Sequence, residues 1–433
     1  MATFKSLMGK LWFRVLLGLV LGILFGYTVG QNAAVVGWLT ENGIDGKALI
    51  TEYVKPIGTV FINLIKMVVV PLIFFSLVAG ITSMTNAEAF KRIGLKAVGA
   101  YLMTGAFAVC IGLAFGTIFH PGLGADLSVL KAHAETGISV KGQEFSMIKL
   151  FVDMVPVNVV KAMAEDNILQ VVVFALFVGV TLVKLGKKTQ GITDLFQQAA
   201  ELVFKLIETI VRFSPYGVFA LMSWAVGTQG MDILLALLRL VGVVLGALFT
   251  QYLLFGLMIV VFARMSPMPF YRKILEVQLL AFSTSSSKAT LSTAMRVVNE
   301  SMGVSKSSTS FVLPLGTSIN MDGTAIYLGI CALFFSQAYG ITIDAHHYFV
   351  LILTATLGSI GAAGIPGGSL IMMGMVLTSV GLPLDGIALI AGVDRILDML
   401  RTTVNITGDS VITLLVDKSE ATFDQRAYHD MDL

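Results

Sequence analysis

Apolar residues in this chain run in stretches long enough to cross a bilayer, and that constrains the fold more than any other feature. The stretches lie at about 11–30, 56–84, 93–119, 167–186, 214–228 and 232–263, with others in 308–337, 348–380 and 384–416. A helix needs about 20 residues to span the hydrocarbon. Backbone N–H and C=O groups find no water there, so a spanning segment must satisfy them internally, as a helix does. The expected class is an all-α polytopic membrane protein. Composition agrees: 56% of the residues are hydrophobic and 13% charged, against roughly 25% charged in soluble domains. A net charge of +2 argues against a nucleic-acid partner. Cys110 and Cys331 both lie inside apolar runs and read as buried thiols rather than a disulfide.

The first run follows Lys5, Lys10 and Arg14 but lacks a small-residue cleavage site directly after it. It therefore reads as a retained span, not a signal peptide. Further basic residues follow the second run (Lys91, Arg92, Lys96), the fourth (Lys184, Lys187, Lys188) and the run ending near Phe262 (Arg264, Arg272, Lys273). By the positive-inside rule this alternation gives a cytoplasmic N-terminus, an external loop at 120–145 and a cytoplasmic tail after Val416. Two segments are amphipathic at helical spacing: Met147 to Ala164, and 191–213 leading into the span that starts at Pro215.

Beyond residue 265 the apolar runs are interrupted. Segment 274–299 carries the serine-rich AFSTSSSKATLSTAM, and 345–380 carries the glycine- and proline-rich SIGAAGIPGGS. Each break sits mid-segment and suits a re-entrant helical hairpin, because irregular backbone at membrane depth needs cover from protein or access to water. Paired interruptions of this kind point to a midplane binding site. Between them, Asn320-Met321-Asp322-Gly323-Thr324 breaks another span. Unwinding there would offer carbonyl oxygens beside the Asp322 carboxylate, the coordination that hard cations prefer.

The last span is the most informative. At 100° per residue, Asp394, Asp398, Arg401, Asn405 and Asp409 fall within an arc of about 80°. With Arg395, the stripe and its flank carry charges that would cost roughly 12–17 kcal/mol if turned toward lipid. The stripe must face protein or water. Arg401 can grip a carboxylate and Asp398, one turn away, can accept from an ammonium, which together describe a ligand carrying both groups. Asn405 and Asp409 could join Asn320 and Asp322 around a cation.

TSINMDGTAIYLG, SIGAAGIPGGS, TSSSKATL and DRILDMLRTTVNITGD resemble the dicarboxylate/amino acid:cation symporter family, which includes glutamate and aspartate transporters. KMVVVPLIFFSLVAGI (66–81) and YLMTGAFAV (101–109) extend the likeness over nearly the whole chain. The resemblance implies a glutamate-transporter fold with inverted repeats, about eight transmembrane helices and two re-entrant hairpins (266–299 and 345–380). It implies one transporter domain: a scaffold part (approximately 1–90 and 145–228), a moving transport part (approximately 91–120 and 229–418) and a cytoplasmic tail, 419–433. It implies a homotrimer in the plasma (inner) membrane, surrounded by lipid. Substrate would be held by Ser286, Ser287, Gly364 and Asn405 at its α-carboxylate, by Asp398 at its amine and by Arg401 at its side-chain carboxylate. Thr324 and Thr402 would add hydroxyls. One sodium would take Gly316, Asn320, Asn405 and Asp409; a second Ser318, Ser359, Ile360 and Ala362; a third Tyr101, Thr104, Asn320 and Asp322. Asp394 and Arg395 would support the pocket. No cofactor beyond the coupling ions is implied.

Several residues depart from that family's pattern. Gly105 stands where archaeal relatives carry a serine at the third sodium site, and Ala362 where they carry threonine. Leu328 replaces the glutamate of proton-coupled animal relatives. Lys288 replaces a serine of the first hairpin's tip and reads as a solvated side chain at the cytoplasmic vestibule. Arg395 resembles an arginine that the family places in the first hairpin or in the last span.

The expected activity is symport of glutamate or aspartate with sodium, with or without protons as a further coupling ion. A C4-dicarboxylate symporter is the alternative, and it would have no use for an amine partner at Asp398. An ion channel could use a polar stripe but has no need of a paired Arg and Asp. An ATP-driven pump lacks its phosphate-binding motif: at Gly186-Lys187 the earlier glycine position is Thr181. An enzyme is not expected, since His120, His133, His346, His347 and His429 lie in loops or the tail without a nucleophile signature. His346-His347 reads as a loop feature rather than a metal site.

Overall fold

The structure, a computed structural model, describes residues 11–82, 88–125, 152, 155–165, 167–361, 368–384 and 386–430. Its described elements are all helical. The principal ones are α1 (Leu11–Gly30), α2 (Ala33–Glu41), α3 (Lys55–Thr82), α4 (Glu88–Phe119), α5 (Ile168–Leu185), α6 (Gln190–Val211), α7 (Ser214–Gln229) and α8 (Asp232–Met258). They continue with α9 (Leu275–Thr284), α10 (Ser287–Arg296), α11 (Lys306–Ile319), α12 (Asp322–Ala338), α13 (Ala345–Gly361), α14 (Gly368–Ser379) and α15 (Ile387–Ser419).

Among the described residues, five helical stretches are long and apolar enough to cross a membrane, from Phe13–Gly30 to Lys306–Ala338. Large apolar side chains on their outer faces are open, including Phe177 at 67%, Leu238 at 66% and Phe249 at 63%. Water would penalise such a surface and lipid would not. The amphipathic reading of 191–213 corresponds to α6. Of Met147 to Ala164 only the short helix Val159–Ala164 is described as regular structure, and most of the 120–145 loop lies outside the described residues.

Two groups of helices pack mainly among themselves. In one, α1 lies on α7, while α3 receives α5, α6 and α7. In the other, α12 is central: it packs on α4, α8, α13, α14 and α15, and every residue from Asp322 to Ser336 is buried. The groups meet where α7 and α1 touch α15 and where α13 and α14 touch α3.

The α1–α7 contact has a clear sequence cause. Gly18, Gly22, Gly26 and Gly30 recur every fourth residue and so share one face of α1. A Cβ on them would fall 2.4, 2.6, 2.4 and 2.3 Å from the carbonyl oxygens of Pro215, Phe219, Ser223 and Gly227. Only glycine lets the two backbones come this close, and close packing of small residues is what holds helices together where lipid removes the hydrophobic drive.

The chain breaks helices where the sequence implied it. Between α9 and α10, Ser285 takes a left-handed conformation with φ of 52°, and Ser286 caps α10 by accepting from the Ala289 N–H at 3.3 Å. Between α11 and α12, Asn320 is extended and its N–H still reaches the Gly316 carbonyl at 2.8 Å. The third break, between α13 and α14, lies outside the described residues. Pro71 in α3 and Pro314 in α11 each remove a helical N–H.

Gly26→Val is expected to lower the thermal unfolding midpoint in detergent, corresponding to about 1–3 kcal/mol for forced overpacking. Gly99→Ala, where an added Cβ meets nothing within 4 Å, should instead stabilise by roughly 0.5–1 kcal/mol. Equal midpoints for both variants would remove the glycine stripe as the reason for the α1–α7 contact.

Candidate functional site

The polar stripe of α15 is turned inward. Asp394, Asp398, Asn405 and Asp409 are 3, 6, 3 and 0% exposed, and Arg401 is fully buried. Helical spacing puts them on one face, and the cost of an ion in hydrocarbon directs that face to α12 and the broken helices.

At the middle of the stripe, Nη2 of Arg401 donates to Asp394 Oδ1 at 2.8 Å, to Asp398 Oδ1 at 3.1 Å and to the hydroxyl of Ser369 at 2.6 Å. The guanidinium lies 3.9 Å from the ring centre of Tyr327. Arg395 reaches the other oxygen of Asp398 at 3.5 Å. Among the described residues Nε and Nη1 of Arg401 have no acceptor. The buried guanidinium therefore keeps donor capacity for a further anionic group, while two carboxylates beside it supply acceptors for a cationic one.

One to two turns further along α15 the chemistry changes to oxygen donors. Nδ2 of Asn320 donates to Asp409 Oδ1 at 2.9 Å, and Asn320 Oδ1 accepts from the Thr104 hydroxyl at 3.2 Å. The Gly323 N–H, freed because α12 has just begun, donates to Asn405 Oδ1 at 2.8 Å. Asn405 Nδ2 turns to Met321 Sδ at 3.2 Å and to the Thr324 hydroxyl at 3.5 Å. Asp322, also fully buried, accepts from Gln251 Nε2 at 3.2 Å. Tyr101 packs in from α4, its hydroxyl donating to the Val312 carbonyl at 3.0 Å. A Cβ at Gly316 would lie 2.7 Å from both Asp409 Oδ1 and the Tyr101 hydroxyl, so glycine is required there. Asp322 Oδ1 and Asp409 Oδ2 are left without a hydrogen-bond donor among the described residues. Amide, hydroxyl and carboxylate oxygens buried together suit a hard cation. Among the described residues they do not form a cluster of three or more acidic, His or Cys side chains of the kind that holds a transition metal.

Other expected residues occupy nearby elements. Ser286 and Ser287 form the α9–α10 turn; both helices pack on α15, and Ser287 is fully buried. Thr402 is buried beside Arg401. Ser318 lies half-buried near the end of α11, and α11 packs on α13. There Ser359 is buried, its hydroxyl donating to the Thr356 carbonyl at 2.8 Å, with Ile360 next to it. Gly364 and Ala362 lie outside the described residues. Gly105 leaves space: a Cβ on it would meet only Thr356 at 3.7 Å and Asp322 Oδ1 at 3.9 Å. Leu328 is fully buried in α12. Lys288 is exposed but not simply solvated, because its ammonium lies 4.7 Å from the ring centre of Phe204 on α6. The His346-His347 pair opens α13: Asp344 accepts from the His347 N–H at 3.0 Å, a cap that holds the Asp344 carboxyl below its ordinary range.

The order of residues does not by itself single out Ser369, Tyr327, Gln251 or Met321 as members of the site. Gln251 carries a signal, as a lone amide within the apolar run of α8. Tyr327 and Met321 sit inside the TSINMDGTAIYLG motif and Ser369 ends SIGAAGIPGGS, but which group each touches is set by tertiary packing.

Residues 11–419 match the model of the sodium:dicarboxylate symporter family. The chain is 33% identical over 432 residues to the proton/glutamate-aspartate symporter of Escherichia coli (strain K12), covering 98% of this chain and 95% of that protein. It is 32% identical over 416 residues to the proton/sodium-glutamate symport protein of Bacillus subtilis (strain 168), covering 95% and 94%. The C4-dicarboxylate transport protein of Bacillus subtilis (strain 168) is 34% identical over 376 residues, covering 86% and 88%.

Asn320→Leu keeps the side chain's bulk but leaves Asp409 without its donor. A buried acceptor stripped of its partner costs about 1–3 kcal/mol, and more when charged. The variant should unfold at a lower temperature than the parent, while Asn299→Leu, which loses only a bond to the Val304 carbonyl at a half-buried site, should lose less. Equal losses would mean that the Asn320–Asp409 contact has no special weight.

Proposed function

Because the chain belongs to the sodium:dicarboxylate symporter family, we propose that it takes up an acidic amino acid, glutamate or aspartate, together with cations moving down their gradient. The observation that carries this reading is the fully buried Arg401, whose Nε and Nη1 have no acceptor among the described residues, beside two carboxylates and close along α15 to a buried cluster of oxygen donors. In the proposed roles Arg401 holds the substrate's side-chain carboxylate and Asp398 its amine. The turn N–H groups near Ser286 and Ser287, with Gly364 and Asn405, hold the α-carboxylate, and Thr324 and Thr402 contribute hydroxyls. Asp394 and Arg395 keep the charged group oriented.

Sodium is the cation that the oxygen set suits best, held by Asn320, Asp409, Asn405 and Gly316, with Tyr101, Thr104 and Asp322 forming a neighbouring position. Ser318, Ser359, Ile360 and Ala362 would take another. The named relatives divide between proton and proton/sodium coupling, and a proton as a further coupling ion belongs to the same reading. Energetics require co-transport. Carrying a net negative charge into a negative-inside cell costs about 2.3 kcal/mol per 100 mV, and each accompanying monovalent cation returns that amount.

The α9–α10 and α13–α14 pairs are proposed as re-entrant hairpins that open and close over the substrate. The helix group around α12 and α15 moves as the transport part against the group built on α1, α3 and α7, in a homotrimer of the plasma membrane with both termini cytoplasmic. Packing of the two groups mainly among themselves supports that division. A C4-dicarboxylate substrate is the second reading, favoured by the Bacillus relative of that name; Asp398 argues against it, since such a substrate carries no amine.

Uptake of labelled glutamate, aspartate and succinate into proteoliposomes, with sodium and proton gradients imposed separately, tests the proposal. Glutamate or aspartate should enter against their gradients; succinate uptake without amino acid uptake would overturn it. Arg401→Lys should weaken acidic-substrate uptake about 10- to 100-fold, the worth of a lost charge-assisted pair, while leaving the protein folded. Asp398→Asn should spare a dicarboxylate lacking an amine more than it spares aspartate. Asp409→Asn should raise the sodium concentration needed for half-maximal uptake at least tenfold.

A further inference from the structure

A groove lies on the outside of the helix bundle, beyond the Asp409 end of the stripe. A cavity of about 520 Å³ opens between α4, the end of α8 and the end of α15. Its body is apolar: Met103 from α4, Met258 and Phe262 from α8 and its final turn, and Ile412 and Leu415 from α15 line it. Met103 and Phe262 are 74 and 70% exposed, so the groove faces what surrounds the protein. Along α4 it runs from Lys96 to Thr104, about 12 Å of helix, most of the depth of one leaflet of a hydrocarbon core about 30 Å thick.

Only one end is charged. Lys96, Lys418 and Ser419 stand together at that rim, with Arg92 one turn before Lys96. The Lys96 ammonium meets Glu420 at 2.6 Å and the Ser419 hydroxyl at 3.0 Å, and Arg92 also pairs with Glu420. Among the described residues Lys418 touches the neutral Gln425, at 3.3 Å, and the Phe423 ring, but no carboxylate. The neighbouring Asp417 turns away, accepting from the Ser305 N–H at 3.0 Å. Among the described residues, Arg92, Lys96 and Lys418 thus bring three cations to one carboxylate, Glu420, at the mouth of an apolar groove. A water-soluble anion would have no use for the groove, and an acyl chain alone none for the rim.

We propose that this groove holds one phospholipid with an anionic headgroup: its phosphate at Lys96, Lys418 and Ser419, and an acyl chain along Met103, Phe262 and Leu415. The basic rim sits at the end of α4 where the positive-inside rule places the cytoplasm, the leaflet whose anionic lipids attract clustered lysines. The groove's wall includes Thr104, whose hydroxyl bonds Asn320, so the lipid would pack against one side of the proposed cation pocket. The proposal stands whether or not the transported solute is an amino acid.

The test uses the purified full chain in detergent, stripped of lipid, with phosphatidylglycerol or phosphatidylcholine of identical acyl chains added back. Retention is read by native mass spectrometry and stabilisation by thermal unfolding. Phosphatidylglycerol should be retained at one copy per chain and should raise the unfolding temperature more than phosphatidylcholine. The Lys96→Gln, Lys418→Gln double variant, in which Arg92 still pairs with Glu420, should bind phosphatidylglycerol roughly 30-fold more weakly, the value of two lysines at a membrane surface. Ala100→Trp, which fills the groove without touching the charges, should weaken retention of both lipids. Glycerol phosphate, the headgroup alone, should not displace the bound lipid. Equal retention of both lipids by the parent chain, or undiminished phosphatidylglycerol binding in the double variant, would overturn the proposal.

Discussion

The bond between Arg401 and the two carboxylates beside it is the constraint around which the rest of the structure is arranged. A fully buried guanidinium is tolerable only when opposite charge and hydrogen-bond acceptors surround it, because an unpaired ion in a dry interior costs several kcal/mol. α15 supplies Asp394 and Asp398 from its own face, two turns and one turn before Arg401. The helix does not surround the guanidinium by itself, and Ser369 at the start of α14 adds an acceptor and Tyr327 of α12 a ring face. The position of α14 on α15 agrees with that requirement. The same logic explains why α12 is buried along nearly its whole length: it shields the charged face of α15 from lipid.

The broken helices are the second consequence. Each interruption frees N–H and C=O groups that hydrocarbon would leave unsatisfied. Here they are used. The Gly323 N–H at the start of α12 is taken by Asn405, and the turn at Ser286 caps α10 with its own hydroxyl. Glycine matters where backbone must approach a side chain: Gly316 lies against Asp409 and Tyr101, and Gly323 would place a Cβ 2.7 Å from the Arg401 carbonyl. Uninterrupted helices packed through the glycine face of α1 stand beside these interrupted elements. Rigid packing and exposed backbone polarity are thus segregated into different helices.

Much of this architecture is legible in the order of residues. The spans follow from apolar length, and the stripe from 3.6-residue periodicity combined with the cost of burying charge. The position of the Asn320–Asp322 break follows from turn-forming residues in a span. What periodicity cannot supply is the partner of each group. Nothing in the order of residues says that Arg401 would meet Ser369, 32 positions earlier, or that Asp322 would take its donor from Gln251 in α8, 71 positions away. Lys288 illustrates the limit from the other side. A lone lysine in a serine-rich turn reads as solvated, yet the approach of α6 gives it an aromatic face at Phe204. The glycine repeat of α1 is visible as spacing, but its meaning depends on which helix it meets.

The two halves of the stripe are joined by very short connections, and that proximity gives the proposed coupling a physical route. Asn405 accepts from Gly323 and donates toward Met321 and Thr324, so it grips the first turn of α12 from both sides. Asp322 in that same turn faces the oxygen pocket, while Gly323 packs on the Arg401 backbone. A cation drawing Asp322 and Asp409 together would order the turn that a substrate at Arg401 also needs. The second ligand to bind would then meet a turn already paid for in conformational entropy, which is positive cooperativity without any long-range movement. By linkage, the effect is equal in both directions. A symporter requires that reciprocity, since a protein that admitted cations as readily without substrate would dissipate the gradient. The closeness of the two proposed sites on α15 is therefore as consequential as the chemistry of either one.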